Sequence, residues 1–261
     1  MSSGSVMEKG TQGMPANEPS EVTTAPSPTW AGEATAHCLR PPPGAWNKLI
    51  YYSRRYGVLH ASCALIGRRV PLVWRLAGPV VSRPYLARWL RGRDVKRVSL
   101  GGGSLVSEAW LCADVDPRAD VYMDLQAKLP LPDSSIDDVF LDEVLEHLSE
   151  PEGERLLHNC VRVLKQGGRL RLSTPDLEYF ARLCQQTSDG PASINNIFYV
   201  PGHKRLYTPG EIQALLAATG FVRIRRSWYR DAGSELARFD SHAARFGHLP
   251  EISQYWDAQK P

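Results

Sequence analysis

The feature that most limits what this chain can fold into is a change of pattern at Asp94. From there, short apolar runs at 95–100, 110–115, 136–142 and 169–174 alternate with amphipathic stretches. Strands that short, separated by helical segments, predict an α/β fold with a doubly wound, mostly parallel sheet covered on both faces. The stretch 152–164 carries Leu156, Leu157, Cys160, Val161 and Leu164 at helical spacing, and Gly167-Gly168 follows as the expected stop. Helices are also expected at 177–186 and 209–218, the latter opened by Thr208-Pro209 and closed by Gly220. A strand at 221–228 and a weaker edge strand at 252–258 complete the pattern.

Three regions follow from composition: a tail over 1–40, a helical cap over 41–93, and a domain over 94–261. The formal net charge of +3 conceals their contrast. Residues 41–93 hold Lys48 and nine arginines with no Asp or Glu, a net of +10, whereas 94–261 hold 19 basic and 24 acidic side chains, a net of −5. Seven Trp and Tyr residues interleave with those arginines. Such a mixture suits anionic lipid head groups, phosphorylated substrates or nucleic acid, and equally a cap whose arginines simply face water. The domain's own negative charge makes nucleic acid the least favoured partner.

The residues that carry chemistry begin where the run 95–100 meets Gly101-Gly102-Gly103. A glycine turn at a strand's carboxyl end lets a ligand approach the backbone closely. After the next strand comes Asp116, placed to accept the hydroxyls of a ribose, with Asp114 as its nearest substitute. Asp124-Leu125 follow, and the strand over 136–142 runs into Glu143-Val144-Leu145-Glu146-His147.

Taken in order, LGGG at 100–103, AWLCADVD at 109–116, DLQAKLPLPDSSID at 124–137, VLEHL at 144–148, RVLKQGGRLRLSTPD at 162–176 and HKRLYTPGEIQALLAATGF at 203–221 form one series. The series resembles class I S-adenosylmethionine methyltransferases of the type 11 group, in a short variant frequent among predicted enzymes of polysaccharide and natural-product pathways. The resemblance implies a Rossmann-like fold and S-adenosylmethionine as cofactor. It implies Gly101 and Gly103 against the methionine part, Asp116 at the ribose, Asp124 and Leu125 flanking the adenine, and Glu143 near the sulfonium. Two features depart from the pattern. Ser99 stands where an acidic residue is usual, and the loop between the first two strands is too short for a full helix.

For the reaction, His203 and His147 are the candidate general bases toward a substrate hydroxyl, His203 serving alternatively to order its loop. Glu143, Glu146 and His147 spell ExxEH, similar to the metal motif of ubiquinone-pathway and small-RNA methyltransferases. EHL is also widespread in this fold without metal, and no metal is expected. His242 and His248 receive no role. The expected activity is O-methylation of a sugar, glycan or small natural product. The alternatives are a catalytically silent binding domain, motivated by Ser99 and the short loop, and nucleic-acid methylation. Five cysteines without CxxC spacing, no apolar run of spanning length and no Arg-rich or apolar leader predict reduced thiols in a cytoplasmic protein.

Overall fold

The computed structural model describes residues 45–102, 109–243, 247 and 249–261. These all fall within a single compact unit. Four helices come first: α1 (Ala45–Tyr56), α2 (Val58–Gly67), α3 (Pro71–Val81) and α4 (Arg83–Arg91). The sheet then takes β1 (Arg97–Leu100), β2 (Leu111–Asp114), β3 (Val121–Tyr122), β4 (Ile136–Asp142), β5 (Leu164–Pro175), β6 (Val222–Ser227) and β7 (Ser253–Gln259). Helix α5 (Glu150–Val163) joins β4 to β5, and α6 (Leu177–Gln186), α7 (Gly190–Tyr199) and α8 (Pro209–Ala218) lie between β5 and β6.

The strand order is β3-β2-β1-β4-β5-β7-β6. Neighbours from β3 to β5 run parallel, while β7 is antiparallel to both β5 and β6. The first two crossovers step outward from β1 in one direction and β4 starts the other half, so the topological switch lies between β1 and β4. Ligands of open α/β sheets bind outside the carboxyl ends of the strands at such a point. The inner strands are buried on both faces: Val98 and Leu100 of β1, and Val139 and Leu141 of β4, are completely excluded from solvent.

Local chemistry sets most of the helix boundaries. Ser149 and Glu152 form a capping box that starts α5, and Thr208 and Glu211 do the same for α8. At α6 the Asp176 carboxylate accepts the Glu178 N–H at 2.9 Å. Helix α5 stops at Val163, ahead of the glycines expected to end it. Gly167 instead takes a φ of 73° inside β5, beside the register shift between the pairings of Ile136 and Asp138. Gly168 packs so tightly there that a Cβ would sit 2.8 Å from the Lys165 carbonyl oxygen.

The helical cap covers the β3 edge of the sheet, protecting unpaired backbone groups. Tyr122 donates its backbone N–H to Ser82 Oγ at 2.9 Å, and the ring of Tyr122 leaves room only for a glycine at Gly78. The buried Asp120 carboxylate ties the two parts together, accepting hydrogen bonds from Tyr56 Oη and from the Cys112 N–H. Arg55 lies 3.5 Å from it. No helix is long and apolar enough to cross a membrane among the described residues.

Candidate cofactor and acceptor site

β1 ends at the glycine turn. Gly101 has a φ of 71°, and its N–H donates to the Ala113 carbonyl of β2 at 2.9 Å. A Cβ at this position would lie 2.7 Å from Val144 Cγ2 and 3.5 Å from Leu125 Cδ1. The turn therefore brings together three separated stretches of the sequence: the end of β1, the segment after β3 and the segment after β4. Gly103 lies outside the described residues. Beneath the turn, Ser99 is fully buried and its Oγ has no hydrogen-bond partner.

The second strand ends two residues before Asp116, the acid expected at the ribose. Pairing of Asp114 with Tyr122 makes Asp114 the last residue of β2. Asp116 sits beyond the strand on a turn, where its carboxylate is held by the Arg118 side chain at 2.6–3.1 Å and by the Arg118 N–H at 2.7 Å. Asp124 accepts the Gln126 N–H at 2.9 Å in the turn that carries Leu125.

After β4 the backbone passes through Glu143 at a φ of 59°, a left-handed conformation that a non-glycine residue adopts only under constraint. This kink separates the ExxEH residues. Glu143 turns toward the C-terminal segment, 3.8 Å from His242 Nε2. Glu146 and His147 lie on a single 3₁₀ turn, Leu145–His147. There the carbonyl of Glu146 accepts the N–H groups of Lys204 at 2.7 Å and Arg205 at 3.2 Å, pinning the α7–α8 loop onto the turn. His203 consequently stacks edge-on to His147, ring centroids 4.7 Å apart.

The carboxyl of Glu146 is wholly buried, accepts the Thr174 hydroxyl at 3.0 Å, and has its other oxygen 3.9 Å from His203 Nε2. Burial raises its pKa, and burial together with the neighbouring Glu146 raises that of Glu143. Burial, then His147, pushes His203 down to about 4, and burial also lowers His147. Among the described residues, Glu146, His147 and His203 each offer one ligand atom within 4.8 Å of the others, a carboxylate and two imidazoles suited to a divalent transition ion. His203 thus takes the place in that set which the ExxEH spacing gave to Glu143.

Sequence reasoning missed a buried network around His242. His242 Nδ1 lies 2.7 Å from Asp142 Oδ1, and its Nε2 lies 3.1 Å from Tyr255 Oη, with the two rings stacked. Burial pulls the His242 pKa down, but Asp142, Glu143 and Asp240 outweigh it and leave it raised. One layer further in, Arg171 of β5, fully buried, makes a bidentate pair with Asp240 and also reaches Ser227 Oγ. Apart from His242 and Tyr255, 13 positions apart, these partners are separated by 56 to 100 positions, and nothing local marks them. His248 lies outside the described residues.

A glycine turn at the switch point of a β3-β2-β1-β4-β5-β7-β6 sheet, with an acid ending the adjacent strand, defines the Rossmann-like class of nucleotide-type ligand folds. Residues 95–172 match the family described as methyltransferase domain. The chain is 35% identical over 108 residues to a protein of Mycobacterium tuberculosis named as a probable S-adenosylmethionine-dependent methyltransferase, spanning 41% of this chain and 35% of that one. A similarly named protein of Mycolicibacterium smegmatis is 34% identical over 105 residues, 40% of this chain and 36% of its own length. The match thus spans about a third of the length of these curated relatives. A solved S-adenosylmethionine-dependent methyltransferase from Archaeoglobus fulgidus aligns with a TM-score of 0.45 and 16% identity, covering 81% of this chain and 98% of that one.

Proposed function

We propose that the protein transfers a methyl group from S-adenosylmethionine to a hydroxyl of a sugar or small natural product. The observation that carries the reading is the turn at Gly101, where Val144 leaves space for backbone but not for a side chain. Gly101 would lie against the methionine part of the cofactor. Asp114, ending β2, is better placed for the ribose than Asp116, whose carboxylate Arg118 occupies. Asp124 and Leu125 would border the adenine.

The orphaned Ser99 hydroxyl fits the ammonium end, as a neutral acceptor in place of a carboxylate. The loss of charge removes a contact worth about 1.5–3 kcal/mol, so weak cofactor affinity is expected. When bound, the cofactor supplies an already electrophilic methyl, and the protein has only to orient the acceptor and take its proton.

For that proton, His147 is the better base. It is exposed, while buried His203, at about 4, is a weaker proton acceptor. His203 then orders its neighbour and the α7–α8 loop. Calorimetric titration with S-adenosylmethionine and its demethylated product tests the reading. Saturable binding of both is expected. Absence of binding at millimolar ligand by folded protein would favour a silent domain.

A further inference from the structure

The cap presents to solvent what most proteins bury. On α2, His60, Ala61, Ala64 and Gly67 face inward, leaving Leu59 and Ile66, two turns apart, on the outer face at 76% and 51% exposure. On α3, Trp74 and Gly78 face inward, and Leu72, Leu76 and Val80 form an outer stripe at 62%, 71% and 60%. The two helices pack against each other, and Val70 between them is also exposed. Scattered surface leucines need no explanation, but apolar outer faces on adjacent helices do.

The same helices carry unneutralised positive charge. Of the nine arginines in 41–93, only Arg55 enters an ion pair among the described residues. Arg69 and Arg75, both exposed, flank or interrupt the apolar faces, whereas the Arg68 guanidinium turns back over the Tyr52 ring. Arginine stems can lie along apolar surface while the guanidinium groups reach outward.

From these observations we infer that the outer face of α2 and α3 docks on the surface of a lipid bilayer containing anionic head groups. Apolar side chains enter the acyl boundary and the flanking arginines meet phosphate, the arrangement of helices that lie in a membrane interface. A second copy of this face is a poor occupant, because it would set a segment of net +10 against another of the same sign. Nucleic acid would meet the arginines and leave the leucines uncovered. The inference stands apart from methyl transfer.

The test is co-sedimentation of the full chain with phosphatidylcholine vesicles, alone or mixed with phosphatidylglycerol. Binding is expected on mixed vesicles, much weaker on neutral ones, and reduced as salt shortens the screening length from about 10 Å at 0.1 M toward about 3 Å at 1 M. Leu72→Ser and Leu76→Ser should each lower partitioning about tenfold, and Arg69→Gln and Arg75→Gln about fivefold each. All four sites are exposed, so folding should survive, which thermal melts would check. Quenching of the wild-type protein's tryptophan fluorescence by bromine-labelled acyl chains gives a further readout that needs no variant. Absence of binding, or partitioning indifferent to lipid charge and to both sets of variants, would overturn the inference. Concentration-dependent dimerisation abolished by the leucine variants, without vesicle binding, would assign the face to a second copy.

Discussion

Replacing Gly101 by alanine probes the turn on which the cofactor reading rests. Two separate costs are expected. The backbone φ of 71° lies in the left-handed region, where a Cβ costs about 1–2 kcal/mol. The same Cβ would meet Val144 Cγ2 at 2.7 Å and Cγ1 at 3.1 Å, an overpacking of about 1–3 kcal/mol. If the fold absorbs the change, Gly101→Ala therefore destabilises by roughly 2–5 kcal/mol. If the turn moves instead, the loss shows as weaker binding of S-adenosylhomocysteine. The double variant Gly101→Ala/Val144→Ala separates the terms, since removing the valine methyls relieves the collision and leaves the backbone cost. Urea unfolding and calorimetry on the four proteins of the cycle should give a coupling of about 1–3 kcal/mol in the relieving direction. The reasoning is refuted if Gly101→Ala changes neither stability nor affinity, or if Val144→Ala recovers nothing.

Asp114→Ala should weaken cofactor binding by about 1–3 kcal/mol in calorimetry while Asp116→Ala changes it little; the reverse order would restore the assignment from spacing. His60, buried among Tyr56, Trp74 and Tyr85, has its pKa lowered by burial to about 4. The unfolded chain binds that proton first, so the stabilisation is complete above the ordinary value of 6.5 and is lost as pH falls toward 4. Over that window His60→Phe should flatten the acid-side fall in urea-unfolding free energy by roughly 2–3 kcal/mol. Chelation is expected to leave methyl transfer unchanged, because the Glu146 carboxyl already has a hydrogen-bond partner in the Thr174 hydroxyl without an ion. Loss of activity restored by Mn²⁺ or Zn²⁺ would make Glu146, His147 and His203 ligands.

How far the sequence reveals this structure depends on how local each determinant is. β4, α6 and α8 have the boundaries read from the chain, since their signals, an apolar run or a cap at Asp176 and Thr208-Pro209, lie within a few residues. The two-residue β3 is too short to show a period, and α7, with only Gly190 buried, shows no apolar stripe. At the site, the glycine turn and Leu125 are legible because the fold needs those residue types at that spacing. The choice between Asp114 and Asp116 is not, because both alternate to the same side and only pairing with Tyr122 fixes where β2 ends. The His242–Asp142 contact spans 100 positions and leaves no trace in either neighbourhood.

The placement of β7 between β5 and β6 dictates an order of assembly. During synthesis, β1 to β5 and their helices emerge first and can pair as a parallel sheet. β6 then emerges with no strand to join, since its described ladder is entirely with β7. Until residues 253–259 arrive, the backbone of β5 from Arg169 to Pro175 is an open edge, and Arg171 awaits Asp240, 69 positions downstream. An open interior edge can recruit a strand from another nascent chain. The chain is therefore exposed to misassembly between the synthesis of β5 and that of β7, and its sheet closes only when residues 253–259 pair with both β5 and β6.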